Sequence, residues 1–170
     1  MKHKPAAGLG LAGGDTPALT YELVVAMAMA ESVSFAAVTF IGLDEWIGIE
    51  RTIPGSCYHF LQHKIFEPLQ IRQHQIHFFN SMANDLQKEC NRFNTSVHKD
   101  GGIDLALVGI GLNGHIGFNE PGVDFSLNAH VVELDHLTTL TGQTHLATST
   151  PLAPGNTSGM APLTCAGHVF

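Results

Sequence analysis

The chain has 170 residues, 44% of them apolar, and a formal charge of −7 from 15 acidic and 8 basic side chains. At roughly 150 residues per domain, this is one domain with enough apolar material for a real core. Its longest uninterrupted apolar stretch, residues 23–30, is far short of the ~20 residues that span a bilayer, and an acidic chain without a basic run argues against nucleic-acid or anionic-membrane binding through phosphate contacts.

Residues 1–7 read as a ragged start and residues 8–170 as a single domain. An apolar run at 8–12 suits the end of a strand. GGDTP at 13–17 is a turn into a helix, with Thr16 suited to the N-cap and Pro17 to the first helical position, where its missing N–H costs nothing. Leu19, Leu23, Ala26, Met27 and Ala30 then recur at helical spacing. Residues 36–43 are continuously apolar and read as a buried parallel strand, ending at two carboxylates, Asp44 and Glu45. Residues 56–66 predict a helix with Phe60, Leu61 and Ile65 inward, and residues 76–79 a short strand. Asn84 opens the next helix, with Gln87 as a capping-box partner. Leu86, Cys90, Phe93 and Val97 share one of its faces, and Gly101 and Gly102 end it.

IDLALVGI at 103–110 is the clearest strand, apolar nearly throughout and therefore expected to be covered on both faces. It runs into GLNGHIGFNEPG at 111–122. Residues 131–134 are a short strand candidate. The Thr-, Pro- and Gly-rich remainder predicts one helix near 158–166 and the first residues of a strand at 168–170. No apolar segment of signal-peptide type follows the N-terminal lysines. Cys57, Cys90 and Cys165 are widely spaced without a CxxC, which reads as reduced, mostly buried thiols of a cytoplasmic protein.

Strands alternating with helices predict an α/β fold: a three-layer, Rossmann-like, doubly wound sheet that is mostly parallel. Ligands of such sheets sit beyond the carboxyl ends of the strands, at a topological switch point. Three loops leave strand ends in that way, at 13–17, 44–46 and 111–121, and they hold most of the residues suited to chemistry.

Two segments match G-x-G-x-x-G: Gly8, Gly10 and Gly13, and Gly109, Gly111 and Gly114. A dinucleotide site needs a strand before the motif, a helix directly after it and an acidic residue ~20 positions on. The first match has no full strand before it. Asn119, Glu120, Pro121 and Gly122 interrupt any helix after the second, although Glu133 stands at a suitable distance. These glycines read better as tight strand-to-loop turns. Asp44 and Glu45 are adjacent on an extended chain and point in opposite directions, so one of them faces a cleft. Taken alone, such a carboxylate reads first as a solvated loop group, although the end of a buried strand is where an α/β enzyme places a general base.

Asn113, His115, Asn119 and Glu120 crowd a loop that also carries Gly111, Gly114, Gly117 and Gly122. Glycine lets a backbone approach a ligand closely, and Glu120 is placed to fix the tautomer of an imidazole or accept its proton. This reads as a catalytic loop. The rival use of histidine is metal binding: His59 and His63 stand at i, i+4 on a predicted helix, with His74 and His77 nearby. Without an accompanying HExxH glutamate they read as a surface stripe, and no metal is assigned.

The strand IDLALVGIG followed by LNGHIGFNEPG closely resembles the signature of the glucosamine-6-phosphate deaminase family, also called glucosamine/galactosamine-6-phosphate isomerases. GLAGGDTP at 10–17 resembles that family's phosphate loop, VTFIGLDEWIGI at 38–49 its strand ending in the catalytic Asp, and IPGSCYHFL at 53–61 the helix start that follows. The resemblance runs over about residues 8–170, in order, and Gly142 and Gln143 look like the galactosamine-type branch. It implies deamination and aldose–ketose isomerisation of an aminosugar 6-phosphate, with no cofactor and a small-molecule substrate as partner. His115 would move the proton that opens the sugar ring, with Glu120 and Asn113 orienting it. Asp44 would take the proton from C2 and return it at C1. Gly13, Gly14, Asp15, Thr16, Gly109 and Thr144 would meet the substrate. The related 6-phosphogluconolactonases share the fold, but their loop lacks the FNEP continuation, so a lactone hydrolase is the weaker alternative.

Three departures accompany the resemblance. Gly13 and Asp15 stand where the family's phosphate loop usually has Thr and then Ser or Gly, and a carboxylate there repels phosphate. Thr144, flanked by His145, stands where the family has a basic anchor. The sequence also reads as truncated at both ends relative to the family. From this follow the expectation of an exposed apolar patch, hence an obligate homo-oligomer or a marginally stable chain, and a second reading of the chain as a non-catalytic sugar-phosphate-binding remnant or subunit.

Overall fold

The computed structural model describes residues 4–124, 126–136, 138 and 162–165. Four strands, β1 (Gly8–Leu11), β2 (Thr39–Gly42), β4 (Ile76–His77) and β5 (Leu105–Leu107), form a parallel sheet in the order β4-β2-β1-β5. The chain steps outward from β1 through β2 to β4, then returns to the other side of β1 with β5. The strand order therefore reverses between β1 and β5, and a crevice opens beyond their carboxyl ends.

Adjacent residues of β2 point to opposite faces, and the two faces have separate cores. Phe40 packs with Tyr21 of α1 (Ala18–Ala30) and with Leu61, Ile65 and Phe66 of α2 (Cys57–Leu61) and its one-turn π-helical extension (Gln62–Phe66). Ile41 packs with Cys90, Phe93 and Val97 of α3 (Leu86–Lys99) and with Phe79. Helices on both faces of a parallel sheet make the three-layer α/β architecture that the alternation of elements predicts. A second, antiparallel sheet runs β3 (Asp44–Trp46), β7 (Pro162–Cys165), β6 (Ala129–Val131) and lies next to the end of β2. Among the described residues no helix is long and apolar enough to cross a membrane.

Several local expectations need correction. The helix expected near 158–166 is replaced, where described, by β7, whose backbone groups pair with both β3 and β6. That long-range demand overrides a locally ambiguous Pro- and Thr-containing segment. Helix α1 turns a different face inward. Tyr21 and Ala28 are buried, whereas Leu19, Leu23 and Met27 are exposed, because a helix apolar nearly all round has no periodicity to choose its face. It also starts one residue later than expected: Pro17 is the N-cap and Thr16 makes no cap hydrogen bond.

Helix α3 is capped by Asp85, not Asn84: the Asp85 side chain accepts from the Lys88 N–H at 3.0 Å. Strand 103–110 shortens to β5, which lies at the sheet edge with Leu105 67% exposed, so it is not covered on both faces. Leu105, Ile110 and Leu112 are exposed, as are Leu19, Leu23 and Met27 on the outer face of α1. Cys57 and Cys90 are free and buried, as expected. The readings made for residues 142–146 and 168–170 lie outside the described residues.

Candidate active site

A cleft of about 490 Å³ occupies the crevice between β1 and β5. Gly13, Gly14, Asp15, Thr16, Asp44, Gly109 and His115 all line it. The structure thus brings together, from three strand ends, most of the residues selected from the sequence. Asn113 and Glu120 stand behind His115 and do not line the cleft, and Thr144 lies outside the described residues.

Asp44 and Glu45 divide their work as the strand alternation requires. Glu45 points away from the cleft and holds the start of α2. Its Oε1 accepts from the N–H groups of Trp46 (2.9 Å) and Cys57 (3.0 Å), and its Oε2 from the Tyr58 N–H (3.0 Å) and the Ser56 hydroxyl (3.0 Å). A carboxylate at a helix start satisfies amides that have no partner within the helix. Ser56 completes the cap by accepting from the His59 N–H.

Asp44 faces the cleft from a nearly closed wall, 4% exposed. Burial pushes its carboxyl up from 3.8 to about 7. Hydrogen bonds from the Cys57 thiol and the Gly13 backbone hold it down, while the neighbouring Glu45 charge pushes it further up. A carboxylate of that acidity takes and returns a proton near neutral pH. Cys57 was not selected from the sequence, since only the fold places it against Gly13 and Asp44. A Cβ on Gly13 would stand 2.9 Å from the Cys57 Cβ, so the loop after β1 requires glycine to reach the thiol. Burial and the two carboxylates keep Cys57 well above the usual thiol range, so it donates as a thiol.

His115 belongs to a different kind of wall. Its Nδ1 lies 2.7 Å from the Asn113 Oδ1, which also accepts from the His115 N–H at 3.1 Å. The Asn113 amide is oriented in turn by donating from Nδ2 to the Glu120 carboxylate at 2.6 Å. That contact fixes which end of the amide faces the ring. An amide oxygen only accepts, so Nδ1 carries the proton and Nε2 presents a lone pair.

Glu120 therefore acts through Asn113 rather than on the imidazole, and its other oxygen accepts from the Asp135 N–H at 3.0 Å. Thr138, also not selected from the sequence, adds its hydroxyl 3.2 Å from the His115 Nδ1. The ring lies so close to the backbone of Gly111 that a Cβ there would be 2.0 Å from the His115 Cε1. Asn119 is a loop pin: its Nδ2 donates to the Ile116 carbonyl at 3.1 Å. Phe118 reaches Trp46 with ring centroids 4.5 Å apart, so the loop is anchored to the Asp44 wall.

A switch-point cleft with a near-neutral buried carboxyl on one side and an oriented imidazole on the other defines an α/β protein equipped for proton transfer. Residues 1–118 match the family described as glucosamine-6-phosphate isomerases/6-phosphogluconolactonase, and the chain belongs to that family. The glucosamine-6-phosphate deaminase of Thermoanaerobacter sp. (strain X514) is 40% identical over 138 residues, covering 81% of this chain and 54% of that protein. The deaminase of Lysinibacillus sphaericus (strain C3-41) is 41% identical over 138 residues, covering 81% and 58%. The chain spans little more than half the length of these curated relatives.

Among solved structures, a monomeric glucosamine-6-phosphate deaminase superposes with a TM-score of 0.85 at 35% identity, covering 97% of this chain and 66% of the other. A 6-phosphogluconolactonase from Thermotoga maritima shares the fold, with a TM-score of 0.67 at 17% identity over 97% of this chain and 65% of the other.

Proposed function

We propose that this chain carries the proton-transfer centre of an aminosugar 6-phosphate deaminase/isomerase, acting on glucosamine 6-phosphate or its galactosamine epimer. The observation that carries the reading is the shared cleft of Asp44, held near neutrality, and His115, held with a free Nε2 lone pair. His115 Nε2 takes the proton from the anomeric hydroxyl and delivers it to the ring oxygen, which opens the ring to the aldehyde. Asn113 holds the imidazole in that tautomer, and Glu120 holds Asn113.

Ionised Asp44 then removes the C2 proton while the aldehyde oxygen takes a proton from the substrate's own ammonium group, giving an enolamine, and Asp44 returns its proton to C1. The product is a ketose iminium, and water adds at C2 to release ammonia and fructose 6-phosphate (or the tagatose equivalent). The buried wall keeps Asp44 basic enough for this abstraction, and the same group is acidic enough to return the proton.

On this reading the phosphate meets the loop of Gly13, Gly14 and Thr16, which lines the cleft and leads into α1, with Gly109 opposite Thr16. Asp15 lines the same cleft and opposes an anion there. That carboxylate is the specific feature behind the second reading, a non-catalytic sugar-phosphate-binding remnant or subunit with the same fold. On the primary reading the protein acts in the cytoplasm. An exposed apolar surface of several side chains suits self-association, whereas the solved relative is described as monomeric.

The test is ammonia release from glucosamine 6-phosphate and galactosamine 6-phosphate by purified protein, beside Asp44→Asn and His115→Gln. Release abolished by both substitutions is the expected result. A folded protein that binds either sugar phosphate without releasing ammonia supports the second reading and overturns the first.

A further inference from the structure

Outside the proton-transfer residues, the helix after Ser56 carries a pair of facing imidazoles. His59 and His63 are one turn apart, with ring centroids 4.4 Å apart and the two Nε2 atoms 3.1 Å apart. Histidine Nε2 atoms that meet in this way either share one proton or share one cation. Two imidazole nitrogens bound ~2.0–2.1 Å from a single ion at roughly 90–110° would stand roughly 2.9–3.4 Å apart. The observed separation falls in that interval.

The second ring nitrogen of the pair is arranged too. His63 Nδ1 lies 2.9 Å from Glu67 Oε2 one further turn along. Donation to a carboxylate places the proton on Nδ1 and leaves Nε2 as a lone pair, which is the arrangement that orients metal-bound histidines. Glu67 is itself oriented by the Gln62 side-chain amide, which donates to its other oxygen at 3.1 Å. His63 and Glu67 are each 54% exposed, so an ion reaches them from solvent. His59 is half-buried and forms part of the rim of the cleft that holds Asp44 and His115.

We propose that His59 and His63 form a two-imidazole clip for a divalent transition ion of the zinc, nickel or copper class, at the mouth of the cleft. Imidazole pairs select those ions over magnesium or calcium, which prefer oxygen donors. No group of three or more His, Cys, Asp and Glu donors gathers among the described residues. The remaining coordination positions therefore belong to water or to an oxygen anion entering the cleft. Without metal, His59 Nε2–H donates to the His63 lone pair. Metal entry moves that proton to His59 Nδ1, so both Nε2 atoms bind through lone pairs. The clip is independent of the reaction proposed above, and its test uses no activity.

The experiment is calorimetric titration of the purified chain with zinc chloride and with nickel chloride in a non-coordinating buffer, with circular dichroism confirming each variant's fold. One ion per chain is expected, lost in both His59→Gln and His63→Gln. Affinity should be retained in His74→Gln, which alters an exposed histidine of the same region, and weakened about 10–100-fold in Glu67→Gln. Copper(II) bound to the unaltered chain should show nitrogen hyperfine coupling from two imidazoles. The proposal is overturned if the His59→Gln, His63→Gln double substitution binds either ion within twofold of the unaltered chain, or if His74→Gln weakens binding as much as His63→Gln does.

Discussion

The two walls of the cleft control their reactive groups by different physics. The Asp44 wall is built from β1, β3 and the start of α2, is almost closed to solvent, and sets the acidity of its carboxyl by desolvation. The His115 wall is a half-exposed glycine-rich loop after an edge strand, and it sets the tautomer and direction of its imidazole by a chain of hydrogen bonds through Asn113 to Glu120. Damage to the first wall should change when the protein works and how stable it is. Damage to the second should change how well a group is aimed. A base needs its energy tuned, which burial does, and a proton carrier needs one nitrogen presented, which directional contacts do.

The largest contrast is expected from Asp44→Asn, which should lower deamination by about 10²–10⁴-fold, the usual weight of a positioned general base. The same substitution tests the desolvation argument without any assay. The Asp44 carboxyl is raised in the fold, from 3.8 to about 7, so its neutral form is favoured there. The unaltered chain then loses stability as pH rises through that window. Thermal melts should show Asp44→Asn gaining on the unaltered chain from pH 4 to pH 8, with little difference at the acid end.

Next in size is Glu45→Ala. It leaves three buried N–H groups and a hydroxyl without their acceptor, at about 1–3 kcal/mol for each group not rehydrated. Denaturant midpoints should fall sharply, and more than for Glu120→Gln, whose contacts lie on the more open wall.

Smaller effects should separate the walls further. Gly111→Ala forces the His115 ring away from the loop backbone. It should cut kcat by tenfold or more, on the order of the loss expected for a displaced reacting group, with the melting temperature nearly unchanged. The smallest is Cys57→Ala, which removes a hydrogen bond to ionised Asp44. The rising limb of the kcat/KM profile, expected near pH 7, should move to higher pH by less than about one unit. A profile that shifts with Gly111→Ala and not with Cys57→Ala would reverse the assignment of roles to the two walls.

Asp44 and the cluster of Asn113, His115 and Glu120 were legible because each sits in a short segment directly after an apolar run, where a parallel sheet exposes its ligand-facing ends. The divergence of Asp44 and Glu45 followed from strand alternation alone. The direct partner of Glu120 did not: the sequence places it near an imidazole, and the structure interposes Asn113. Cys57 and Thr138 belong to segments remote in sequence from the groups they touch, so no local pattern could mark them. The inward face of α1 was hidden because the helix is apolar nearly all round. Strand β7 was hidden because its partners, β3 and β6, are distant in the chain.

Burial holds the Asp44 carboxyl near neutrality in the same cleft as His115. Titration of the Asp44 side-chain carboxyl by carbon-13 NMR, assigned by difference against Asp44→Asn, tests it most directly. A midpoint of about 7 is expected. A midpoint in the ordinary carboxylate range, near 3.8, would contradict it, leaving a solvated acid where the proposed chemistry requires a base.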